Sequence, residues 1–239
     1  MMKKMKLADV PFGKNFEVWG HAYTVLDGDD KGVLALEADV VCEMPFREDE
    51  VDYKVAPNDF RDSSVKEYLE GTYTEELVRT GAKLDEDILP MELDLKCTLG
   101  QHEYGTARVY AGLLTLEQYG KYYDIIPKID TTCWLATPWK TPRCSPDTSN
   151  SNYVWNVRSD GGYGGWYYGH TCGVRPTLTL SPSLLVSVEC DEEEEDAESK
   201  WHKYLEYTIR WAISHSDKSF VGCCPVGYAE WINSNREDV

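Results

Sequence analysis

Residues 131–181 are dense in Trp, Tyr, Gly, Ser, Asn and Pro, and this stretch constrains the fold more than any other. Pro138, Pro142 and Pro146 lack a backbone N–H and fix φ, so each interrupts regular structure. Beyond them, Tyr153-Val154-Trp155-Asn156-Val157 alternates with the period of a strand. Val174-Arg175-Pro176-Thr177-Leu178-Thr179-Leu180 reads as one closing strand, its proline near the start where a ladder tolerates it. Between the two lies Ser159-Asp160-Gly161-Gly162-Tyr163-Gly164-Gly165-Trp166-Tyr167-Tyr168-Gly169-His170, expected as an exposed loop. Its residue types suit recognition: Tyr and Trp offer large amphipathic contacts with little rotamer freedom to lose, and Ser, Asn and Gly offer adaptable hydrogen bonds. Tyr153, Trp155, Tyr163, Trp166, Tyr167, Tyr168 and His170 are therefore the candidate ligand-binding residues.

The N-terminal half reads as a meander followed by short helices. Phe16-Glu17-Val18-Trp19 and Tyr23-Thr24-Val25-Leu26 flank a Gly20-His21 turn, and Val33-Leu34-Ala35-Leu36 follows the turn cluster at 27–32. That cluster also resembles part of a calcium loop, but without the closing Glu a plain hairpin is expected. Asp62 or Ser63 caps a helix that Gly71 should terminate, and Thr74 opens a second one ending near Gly81. Residues 84–95 are acidic and cut by Pro90, which suggests irregular structure or an edge strand. Residues 109–114 read as a buried strand, and Thr115 with Gln118 has capping-box spacing for the next helix.

Composition sets the outer bounds. A chain of 239 residues, 42% apolar and 12% aromatic, can bury a core in one domain with a small extension. No run of apolar residues approaches the ~20 that a membrane-spanning helix needs. The N-terminus is basic but lacks an apolar core for a secretion signal, so a cytoplasmic or virion-associated protein is expected. The net charge of −18 disfavours direct binding of nucleic-acid phosphates and leaves open a basic protein partner. Seven of the eight residues from Asp191 to Glu198 are acidic and could make that contact. Trp201, Tyr204, Leu205, Thr208, Ile209 and Ala212 then recur at helical spacing. The expected division is a domain over residues 1–188 and an acidic linker with helical extension over residues 189–239.

Several segments, in order, carry a resemblance. They are the short helix Asp62-Ser63-Ser64-Val65-Lys66-Glu67-Tyr68-Leu69-Glu70-Gly71 and Leu113-Leu114-Thr115-Leu116-Glu117. Next come Cys133-Trp134-Leu135-Ala136-Thr137-Pro138, Asn156-Val157-Arg158-Ser159-Asp160-Gly161 and Gly173-Val174-Arg175-Pro176. Over residues 5–186 the series resembles a bacterial and phage family of unknown function, related to the C-type-lectin-like fold of sulfatase-modifying, formylglycine-generating proteins. The resemblance implies an α+β, C-type-lectin-like domain with antiparallel strands, short helices and a loop-rich C-terminal half. It implies structural roles for Trp134 and for Arg175, the latter tying a loop carbonyl or carboxylate into the core. The same fold carries the variable proteins of retroelements, and residues 149–153 and 163–170 fall where their recognition positions would lie.

Catalytic signatures are weak. The eight cysteines include no C-x-x-C, the five histidines form no ligand pair at i, i+4, and phosphate loops and nucleophile elbows are missing. Cys172 beside His170 hints at a thiolate–imidazole couple with no orienting partner. The sequence therefore favours a non-catalytic binding protein with no cofactor and no metal. The alternatives are an acidic phage inhibitor of a host nucleic-acid-binding enzyme and a cysteine- or copper-dependent oxidase.

Overall fold

The computed structural model describes residues 2–50, 56–142, 151–189, 202 and 204–206. Residues Met2–Glu189 form one compact unit; residues 190–239 belong to a second. The expected acidic run of residues 191–198 and most of the expected C-terminal helix lie outside the described residues.

The chain begins with five strands: β1 (Met2–Lys6), β2 (Asn15–Val18), β3 (His21–Gly28), β4 (Val33–Glu37) and β5 (Cys42–Pro45). The meander β2–β3–β4 is antiparallel, as the alternation predicts. Its second turn is an ordinary hairpin turn in which the Asp29 carboxylate accepts from the N–H groups of Lys31 and Gly32. Helices α1 (Ser64–Tyr68) and α2 (Thr74–Arg79) follow, and the Ser63 hydroxyl caps the first by accepting from Lys66 N–H. Gly71 does not end that helix. It sits inside a π-helical turn, Leu69–Tyr73, that carries α1 directly into α2. The apolar face explains this: Val65, Leu69, Tyr73 and Leu77 are all buried, and one continuous helix keeps them on the core.

Strands β6 (Ile88–Leu89), β7 (Met91–Asp94), β8 (Thr106–Val109) and β9 (Ala111–Gly112) are short. Helix α3 (Leu116–Lys121) has the full capping box, with Thr115 accepting from Gln118 N–H and Gln118 accepting from Thr115 N–H. Then come β10 (Cys133–Pro138), β11 (Tyr153–Val157), β12 (Tyr163–Tyr167), β13 (Thr171–Val174), β14 (Thr177–Leu180) and β15 (Leu185–Glu189). The architecture is mixed α+β, mostly antiparallel sheet with few short helices. One sheet of eight strands runs β1-β15-β2-β3-β4-β14-β6, with β9 also on β14; a second of five runs β12-β11-β10-β13-β5. Among the described residues no helix is long and apolar enough to cross a membrane.

The expected closing strand over residues 174–180 is two strands in two sheets. Val174 pairs with Cys42 of β5, whereas Thr177 pairs with Leu36 of β4. Arg175-Pro176 is the corner between them, and Arg175 holds it. Its guanidinium donates Nε to Glu37 O at 2.7 Å, Nη1 to Pro127 O at 2.9 Å and Nη2 to Ala38 O at 3.0 Å. All three partners are backbone carbonyls. Trp134 is structural too: it is 1% exposed, donates its indole N–H to Met44 O and packs edge-on against Phe46.

Glu37, at the end of β4, is buried and accepts from Tyr73 OH at 2.6 Å, while its other oxygen meets His21 Nδ1 at 3.0 Å. Tyr23 OH in turn meets Tyr73 OH at 2.9 Å. Burial pushes the Glu37 carboxyl up, against the bonds from Tyr73 and His21 that pull it down. The folded value therefore exceeds the unfolded one, and the folded state binds the proton more tightly. The contribution of Glu37 to stability is then fully present in acid and is lost as pH rises through its folded value. A tenfold difference in proton affinity corresponds to about 1.4 kcal/mol. Urea unfolding of wild type and Glu37→Gln from about pH 4 to about pH 8 should show the wild type losing stability relative to the variant as pH rises. Parallel curves would show that Glu37 titrates alike in both states.

Candidate functional site

The candidate residues converge on the β11–β12 hairpin. Five consecutive pairs, from Tyr153↔Tyr167 to Val157↔Tyr163, join the strands in unbroken antiparallel register. The segment read as an exposed loop is therefore half strand. Arg158–Gly162 turns between the strands and Tyr168–His170 turns after them: Arg158 N–H donates to Gly162 O, Gly161 N–H to Arg158 O, Gly161 takes φ +84°, and His170 N–H donates to Tyr167 O. Tyr119 OH donates to Gly161 O and ties the first of these turns to α3.

Strand alternation sorts the aromatic rings. Paired residues share a face, so Tyr153, Trp155, Tyr163 and Tyr167 lie on one side, and Val154, Asn156 and Trp166 on the other. Tyr163 is 56% exposed, and Tyr153 and Trp166 are each 38% exposed. Trp155 and Tyr167 are half-buried. His170 is exposed and lies 5.6 Å, ring to ring, from Trp166. Tyr168 departs from the expected surface: at 3% exposure it belongs to the core, and its backbone is bonded on both sides. Its N–H donates to Asn152 O, and its carbonyl accepts from Phe46 and Arg47.

Two residues that the sequence reading missed complete the site. Trp139 stacks on Trp155 with ring centroids 4.2 Å apart, and it occupies the space over Gly165, where a Cβ would stand 2.3 Å from its ring. Glycine at 165 is thus required by the indole above it. The signal was present, since a glycine opposite a tryptophan on the same face leaves room for a second ring. Asn58 is the other. Fully buried, it donates Nδ2 to the carbonyls of both Lys140 and Tyr153 and accepts from Tyr104 OH, which fixes where β11 begins.

Chemically this face is an aromatic surface on a backbone held at both ends. Its Tyr hydroxyls can donate or accept, and its rings can stack on a ligand's apolar or cationic groups. Tyr167 OH, hydrogen-bonded to Tyr168, is pushed up to about 12 and stays protonated at neutral pH. The indole N–H of Trp155 and both amide atoms of Asn156 are buried with no hydrogen-bond partner among the described residues.

Other concave regions carry less. A cavity of about 40 Å³ beneath Arg158 and Gly161, lined by Cys133, Val157 and Arg175, holds a water or two at most. An open groove of about 580 Å³ runs beside α3, but its charged groups already pair with one another or with close neighbours, Lys96 with Glu117 and Lys121 with Asp27. Comparison of the chain with protein-family models, with curated proteins and with solved structures returns no match. Cys42, Cys133 and Cys172 are free thiols. Burial pushes Cys133 and Cys172 each up to about 12, so neither is a thiolate at neutral pH. Cys172 is buried within β13, whereas His170 is exposed outside the strand and lies against Trp166 and Tyr167.

Proposed function

We propose that this chain is a binding module, on a C-type-lectin-like frame, that presents the Tyr153–Trp155–Tyr163–Tyr167 face of the β11–β12 hairpin to a protein partner. One observation carries the reading. Large rings stand exposed on a strand pair whose register, turn and starting point are all fixed by hydrogen bonds. Rings held this way lose little entropy on contact, which is how a few aromatic residues come to dominate a recognition surface. The double substitution Tyr153→Ala with Tyr163→Ala removes only exposed rings. Retention of partner from host lysate on immobilised protein should fall at least tenfold, with the melting temperature unchanged to within about 2 °C. Undiminished retention would sink this face as the contact.

A second reading, an acidic inhibitor filling a basic groove, is favoured by the net charge of −18. It makes a separable statement: capture would fail at high salt and would not depend on Tyr153 and Tyr163.

A further inference from the structure

Exposed strand edges recruit other strands unless something blocks them, and three of the four end strands of the two larger sheets are blocked. β1, at one end of the large sheet, carries Lys3, Lys4 and Lys6. β6 at the other end is two residues long. β5, one edge of the five-stranded sheet, carries Glu43 and Pro45. The opposite edge is β12, Tyr163-Gly164-Gly165-Trp166-Tyr167, which has no charge, no proline and no bulge. Its outer side has no strand neighbour among the described residues.

The strand also fits itself. Gly164 and Trp166 lie on the same face, two residues apart; a Cβ on Gly164 would meet nothing within 4 Å, and Trp166 is 38% exposed. We propose that β12 pairs antiparallel with β12 of a second copy of this chain, about a two-fold axis at Gly165. That register sets each Gly164 notch opposite the Trp166 indole of the other copy, as a self-complementary interface requires. Charge also selects this edge. Two copies of a chain carrying −18 repel, and on β12 they meet without placing like charges opposite each other. Tyr153, Tyr163 and Tyr167 lie on the opposite face of the hairpin from Gly164 and Trp166, so the pairing contact and the partner contact proposed above use different faces.

Five residues of strand form a small contact beside the roughly 1,600 Å² of a standard interface, so half-association is expected at about 10–100 µM. Sedimentation velocity of the full chain from about 1 to about 300 µM should show the mass rising from one chain towards two. Gly164→Lys, which fills the notch and places a charge on the edge, should weaken association at least tenfold with an unchanged melting temperature. Trp166→Ala should do the same by removing the indole, and it decides the matter if the lysine variant is unstable. A wild-type chain that stays monomeric throughout, or variants that associate like wild type, would overturn the pairing. Partner retention by the Gly164→Lys variant should equal that of wild type, so loss of self-association and loss of partner binding are read separately.

Discussion

Replacing Arg175 by alanine is expected to remove about 3–5 kcal/mol of folding free energy, measured by urea or thermal unfolding. The side chain is 7% exposed and spends its donors on three carbonyls from two distant parts of the chain, Glu37 and Ala38 on one side and Pro127 on the other. Without it those oxygens stay buried with fewer donors, and the corner where the chain passes from the five-stranded to the eight-stranded sheet loses its clamp. Burial pulls the guanidinium downwards from its ordinary value, yet arginine remains charged throughout the working range. Arg175→Lys should recover less than half of the loss, because one ammonium group cannot reach carbonyls in three directions. A variant as stable as wild type would show that the corner is held by the ladders alone.

The second large effect separates neighbours. Tyr168→Ala should cost about 3 kcal/mol or more, because a buried ring is deleted from the main core beside Tyr167, 4.4 Å away between centroids. Tyr163→Ala, five residues earlier and 56% exposed, should change stability by no more than about 0.5 kcal/mol. Parallel urea titrations of the two variants would check the contrast. Equal losses would mean that Tyr163 is core, which would undercut the hairpin as a recognition surface. Single substitutions are essential, since a cluster of alanines that included Tyr168 would unfold the domain and imitate lost binding.

Much of the framework was legible from local pattern. Alternation located the β2–β3–β4 meander and β11, while Ser63, Thr115 and Gln118 announced two helix starts. These features depend on neighbours within a few residues, which is what a single sequence displays. β12 was hidden. Two glycines in five residues lower its strand propensity, and its aromatic residues do not alternate with polar ones. Only pairing with β11 makes it a strand. Trp139 escaped notice because its value lies in Gly165, 26 residues further on.

Local pattern in the chain predicts short strands and short helices around an aromatic, proline-broken segment. Tertiary structure alone decided which rings face outwards. Side chains alternate along a strand, so a shift of one residue exchanges surface for core. Tyr167 and Tyr168 are chemically identical neighbours, yet the first keeps part of its ring in solvent and the second is enclosed. The difference is set by the pairing of Tyr153 with Tyr167 and by the bonds that turn the chain at Tyr168.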